Sequence, residues 1–382
     1  LFGNYRLVVS PLEYDYIIDT HGGTVDDVKI QSQNVVTGQS LGTTYEPIPE
    51  RIARETISLH PWELPPEPAR QSVSLGPGEV IITRTEIYPE HISLTILPGT
   101  TLRLGESVSL FCYGKVTSKG THDEPIRFQP LDPGKAWGAF VLQGKGSSGS
   151  VFEQCSWEGG SEARRNLIYY SGMVSIHGVD DLAIRNCTVG RNFLGDDAMH
   201  LAYCKNFMME GCFFSQAGSD ALDVDLSSGK IVFSRFTNSG NDALDLMTSN
   251  IRVDQCVFTR AGDKGISVGE KTNLAVDGCV FQNCKVGMEI KDRSVVSFER
   301  NIFRYCHTAI NMYQKNWRYG GGGILKAGNV YAINCDTNLT EDKHSNAQIE
   351  AIETIDPNLP VFAQTLSEAA QQAPTIASGL LR

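Results

Sequence analysis

The stretch GSDALDVDLSSGKIVFSRFTNSGNDALDLMTSN, residues 218–250, speaks one phrase twice. An acidic residue, a small one and an alternating apolar run return 22 residues later, and GDDAMHLAYCKN at 195–206 is an earlier version of the same phrase. Aligned on the small residue, Ala198, Ala221, Ala243, Gly265, Gly287 and Ala309 are spaced by 23, 22, 22, 22 and 22. A second marker, Phe214, Phe236, Phe258, Phe281 and Phe303, keeps the spacings 22, 22, 23 and 22. A fixed period of this length is the signature of a repeat architecture in which each unit buries its apolar face against its neighbours.

Within each repeat the residues after the small one alternate. Leu222 and Val224, Leu244 and Leu246, Ile266 and Val268, Met288 and Ile290 fall on one side, and Asp223, Asp245, Ser267 and Glu289 on the other. Period two is a half-buried strand. The segments EGCFFSQAG, FSRFTNSG, DQCVFTRAG, DGCVFQNC and RNIFRYC are versions of one further strand and turn. Strands this short, separated by Gly, Asn, Asp and Ser turns with no helical pattern between them, predict an all-β solenoid whose coils stack strand on strand.

On these repeats the chain resembles the right-handed parallel β-helix proteins, the pectate-lyase-like superfold. The opening segment at 97–144 strengthens the resemblance with Pro98-Gly99-Thr100, Gly120-Thr121, Pro125-Ile126 and Trp137-Gly138. The resemblance implies a β-helix over 75–345 with coils of about 22 residues. Before it, residues 1–74 read as a small β-rich appendage with a Pro-rich linker, capping the open edge of the solenoid, with a short helix over 50–60. After it, residues 346–382 read as a tail with a short helix at 365–373.

Composition excludes some functions. Net charge is −11, which disfavours a nucleic-acid phosphate backbone as partner. No apolar run approaches the roughly 20 residues of a membrane span. The chain starts at Leu1 and not Met, so it reads as part of a longer chain, with a homo-oligomer the other assembly to expect. Cys256 and Cys279, and Cys284 and Cys306, fall in columns, and a ladder of buried thiols acting as small apolar residues is the expectation over disulfides or zinc.

The polar columns carry the functional argument. Asp197, Asp220, Asp242 and Lys264 precede the small residue, and His200, Asp223, Asp245, Ser267, Glu289 and Asn311 stand two places after it. Two carboxylates one rung apart, about 4.8 Å, repel by about 3.5 kcal/mol at an effective dielectric near 20. A bound cation, a shared proton, or hydrogen bonds to backbone amides would relieve this. The first two are functional states and the third is structural. Asp197, Asp220 and Asp242 at turn-to-strand junctions are equally readable as turn caps. Asp223 and Asp245 lie mid-strand, where Asp is disfavoured.

The resemblance implies a carbohydrate-active protein that cleaves or epimerises a polysaccharide along the exposed sheet. Gly195-Asp196-Asp197 is similar to one motif of the polygalacturonase family, whose Gly-His-Gly and Arg-Ile-Lys are absent from this sequence. The residues expected to carry catalysis are Asp223, Asp245, His200 and Asp220. Asp197, Asp242, Lys264 and Glu289 are expected to bind substrate, with Tyr313, Trp317 and Tyr319 as a sugar-stacking platform. Three acidic columns offer hard oxygens that suit Ca²⁺. The alternative is a non-catalytic glycan-binding or structural scaffold domain of a larger surface protein. Either role implies a secreted, periplasmic or cell-surface bacterial address.

Overall fold

The computed structural model describes residues 69–354 apart from residue 166, and four two-residue strand pieces before them. Val8–Val9 pairs antiparallel with Tyr14–Asp15, and Ser32–Gln33 with Ser40–Leu41. The helices expected over 50–60 and 365–373, and the capping role expected of the first 74 residues, fall outside the described residues.

Residues 71–354 form a right-handed parallel β-solenoid of about 12 turns. One coil shows how the period of 22 arises. Asp220–Asp225 is followed by Leu226 at φ 46°, Ser228–Val232 by Phe233 at φ 52°, and Arg235–Thr237 by Asn238 at φ 58°, after which a short loop returns the chain to Leu244–Met247. Three strands and three left-handed corners close one rung. The first strand of each coil joins an eleven-stranded parallel sheet, running from Glu86–Tyr88 to Thr337–Glu341. The others form the second long sheet.

Parallel in-register stacking makes every column a ladder. The rings of Phe214, Phe236, Phe258, Phe281 and Phe303 stack with centroids 4.7, 5.0, 5.0 and 4.7 Å apart. All five are fully buried, each worth about 1.5–3 kcal/mol of apolar transfer.

The cysteine columns do more than fill space. All ten cysteines are free and nine are buried. At one corner Cys212 N donates to Ser234 Oγ (3.1 Å), Ser234 N to Cys256 Sγ (3.4 Å), Cys256 N to Cys279 Sγ (3.3 Å) and Cys279 N to Asn301 Oδ1 (2.8 Å). A buried corner amide has no ladder partner and would be costly unpaired. The side chain one rung on accepts it. Any small residue carrying an acceptor serves, which explains why Cys, Ser and Asn interchange here.

Candidate functional site

The period-two alternation that buries Leu222 and Val224 turns Asp223 and Asp225 outward on the eleven-stranded sheet. Register then aligns His200 with Asp223, Asp223 with Asp245, Asp245 with Ser267, Ser267 with Glu289 and Glu289 with Asn311. The neighbouring outward column runs His177, Ala202, Asp225 and Met247.

His200 is the hub where these columns meet. Its Nε2 lies 3.4 Å from Asp225 Oδ2 and 3.9 Å from Asp223 Oδ2. Its Nδ1 is 3.0 Å from Ser171 Oγ and 3.3 Å from His177 Nε2. Ser171 in turn donates to Asp197 Oδ2 at 2.5 Å. Tyr170 stacks on His177 at a centroid distance of 5.0 Å. Burial, with the neighbouring His200, pulls the His177 imidazole down to about 3, so it stays neutral. Burial and the adjacent Asp225 carboxylate push Asp223 far up, to about 10. Asp223 therefore holds its proton at neutral pH, as expected for a carboxyl lying beside others in a partly dry site.

The column before the small residue has a different geometry. Asp220 Oδ1 accepts Asp242 N at 2.7 Å and Asn241 Nδ2 at 2.8 Å, and Asp242 Oδ1 accepts Lys264 N at 3.0 Å. Each carboxylate thus caps an amide of the next rung, and Asp197, Asp220 and Asp242 are all buried. Burial raises Asp197 to about 7, Asp220 to about 6 and Asp242 to about 7, against opposing hydrogen bonds in the first two and the Lys264 ammonium in the third. Lys264 bonds Asp263 and lies 3.3 Å from Asp242. Burial pulls its ammonium down, but these two acids hold it above the ordinary lysine range.

The far end of the face is closed. Glu289 is buried and receives Lys291 Nζ (3.4 Å), Asn311 Nδ2 (3.1 Å) and Tyr313 Oη (3.1 Å), while Lys291 also donates to Ser267 at 2.8 Å. Tyr313 shares the Asp225 column but stands four rungs away, about 19 Å at the stacking distance. Trp317 and Tyr319 belong to a single turn, Trp317–Tyr319, with Trp317 77% exposed. The structure brings His200, Asp223, Asp245, Asp220 and Asp197 to one region, and sets Glu289 and the three aromatics apart from it.

One member of the cluster escaped sequence reasoning. Asp225 is legible in the sequence four places after the small residue, in the column Ala202, Asp225 and Met247, and His177 joins that column by counting back one longer coil. Ser171 carries no sequence signal: it lies at the end of the hairpin Ala163–Arg165 and Ile168–Tyr170, outside the repeat. Among the described residues, two groups of side chains have ligand atoms within 4.8 Å of one another, His200 with Asp223 and Asp225, and Asp196 with Asp197 and Asp220.

A family model described as the right handed beta helix region matches residues 198–335. No curated protein matches the chain in sequence. Among solved structures, the alginate lyase from Paenibacillus sp. str. FPU-7 is 14% identical over 67% of this chain and 93% of its own, with a TM-score of 0.36. The periplasmic alginate epimerase AlgG is 7% identical over 74% of each chain, with a TM-score of 0.41. The Dettilon tailspike protein is 8% identical over 74% of this chain and 57% of its own, with a TM-score of 0.38. At such identities no residue role transfers. Among the described residues no helix is long and apolar enough to cross a membrane.

Proposed function

We propose that the chain is a carbohydrate-active enzyme that breaks glycosidic bonds of a polysaccharide lying across the His200–Asp223–Asp245 face. The observation that carries this reading is the pairing of Asp223 with Asp245 on adjacent rungs. Their backbones are about 4.8 Å apart, near the roughly 5–5.5 Å carboxyl separation of retaining glycosidases. Asp223, protonated by burial beside Asp225, is the general acid that protonates the leaving glycosidic oxygen. Asp245, half-buried and accepting Leu246 N at 3.0 Å, faces the same bond from the next rung as base or nucleophile. His200, tied to Ser171, orients the Asp223–Asp225 pair. Asp220 supports the face through the amide ladder.

Calcium is a further proposal for this face. The all-carboxylate group Asp196, Asp197 and Asp220 fits a hard cation in donor type, and a bound ion would supply charge neutralisation for an acidic sugar. If neither millimolar Ca²⁺ nor a chelator moves the melting temperature, that assignment is wrong. A secreted, periplasmic or cell-surface address and membership of a longer chain or homo-oligomer are proposed with the enzymatic reading.

The test is a panel of neutral and acidic polysaccharides, read for new reducing ends and for the ultraviolet absorbance of an unsaturated uronic-acid product. Reducing ends without absorbance support hydrolysis. Absorbance identifies a lyase and moves Asp223 from acid to another role. Neither product but an altered uronate epimer ratio in the recovered polymer identifies an epimerase, and binding with none of these changes returns the chain to the alternative, a glycan-binding scaffold.

A further inference from the structure

The second long sheet has an outward face with its own column order. Lys230, Arg252, Ala275, Ser297 and Lys326 stand in register on consecutive rungs. Ser228, Asn250 and Asn273 form the column beside them. Between the two columns runs a trough of about 570 Å³ that Lys205, Lys230 and Arg252 also line.

Three features distinguish this trough from an ordinary solvated face. Among the described residues lining it are three cations and no carboxylate, on a chain whose net charge is −11. Lys230 has no ion-pair partner among the described residues, and Arg252 commits only its Nε, to Asp254 at 2.6 Å, leaving its terminal nitrogens free. The side-chain amides of Asn250 and Asn273, both exposed, likewise have no hydrogen-bond partner among the described residues. Ala275 and Ser297 are small, so the cationic column opens into a floor after Arg252. Beyond them it resumes at Lys326, three rungs or about 14 Å from Arg252.

The unpaired Lys230 and the uncommitted terminal nitrogens of Arg252 on adjacent rungs, beside the free amides of Asn250 and Asn273 at the same spacing, match a linear ligand with an anionic group on successive units. We propose that this trough is a binding site for an anionic polysaccharide, carboxylated or sulfated, held along the solenoid axis by Lys205, Lys230 and Arg252 with Asn250 and Asn273 hydrogen-bonding its hydroxyls. It lies on a different sheet from His200 and Asp223 and does not depend on the catalytic reading of that face. A duplex nucleic acid is disfavoured by the acidic charge of the whole chain.

Native gels cast with polygalacturonate, a sulfated glycan or neutral dextran test it on the full chain at low salt, where exposed charges are least screened. Retardation is expected in one or both anionic gels and not in dextran, and the two anionic gels separate carboxylate from sulfate recognition. Each cation removed is expected to weaken binding by about two- to five-fold, the range of exposed ion pairs. Lys230→Gln alone should give one such step, and Lys230→Gln with Arg252→Gln the product of two. The single variant touches no ion pair and guards against a folding effect at Asp254. Lys230 and Arg252 lie on the second long sheet and Asp223 on the eleven-stranded one, so loss of retardation in these variants reports the trough whether or not the catalytic reading holds. No retardation in either anionic gel, retardation unchanged in both variants, or tighter retention by duplex DNA would each overturn the assignment.

Discussion

Replacing Asp223 by Asn separates an anchoring carboxylate from a functional one. Asp223 sits one rung from Asp245 and two residues from Asp225 on the same face. A carboxylate pair at the rung distance repels by about 3.5 kcal/mol at an effective dielectric near 20. The native state escapes this by keeping Asp223 protonated, and burial together with Asp225 pushes its pKa to about 10. The unfolded chain releases that proton near pH 4. Because the folded state binds the proton more tightly, the Asp223 contribution to stability is lost progressively as pH rises from about 4 toward the native value. Asn has no proton to hold, so the variant should match the parent at pH 4 and exceed it at pH 8. The gain at pH 8 should be at most about 5 kcal/mol, the cost of holding a proton that the unfolded chain releases near pH 4, and smaller by the His200 contact at 3.9 Å that is forfeited. Denaturant titrations at the two pH values read this difference directly. Activity on the responsive polysaccharide should fall by a factor of about 10²–10⁴, the usual worth of a general acid. A variant less stable than the parent at pH 8 would show that the carboxylate anchors the sheet, and the functional assignment of Asp223 would fall with it.

Three other expectations concern the scaffold. Phe258→Ala, at the middle of the stacked ring ladder, should cost about 3–5 kcal/mol in urea unfolding, as for other buried aromatic truncations. Lys291→Met strands Glu289 in a buried site, and a loss of about 3–5 kcal/mol is expected, whereas Lys291→Met combined with Glu289→Leu should recover much of it, as thermal melts of both would reveal. Alkylation followed by intact mass should modify at most one thiol rapidly in the native protein and all ten after denaturation, since nine of the ten are buried and none is bonded to another. Rapid native labelling of several thiols would contradict the corner ladder.

The residues of the repeat, taken in order, carry the architecture. A period of 22 with alternating apolar residues admits few folds other than stacked parallel coils, because each coil is too small to bury its own face. The Phe ladder and the outward alignment of Asp223 with Asp245 follow from that period by counting. Counting cannot say what a side chain spends its polar atoms on. The sequence sets Asp220 and Asp242 at turn-to-strand junctions and Asp223 and Asp245 in mid-strand, but leaves caps and ligands equally readable at the first pair; the structure buries those two and has them cap amides of the next rung, while the latter two remain half-buried on the outer face. Glu289 continues the Asp223 column but is sealed by Lys291, Asn311 and Tyr313. Ser171 reaches His200 from outside the repeat, across 29 positions of sequence. The sequence by itself determined the solenoid, its rung length and its columns, since these are set by local alternation and turn chemistry repeated along the chain. Only the tertiary structure decided which carboxylates are satisfied and which retain a free face, because hydrogen bonding and desolvation depend on neighbours one rung away and on loops that obey no period.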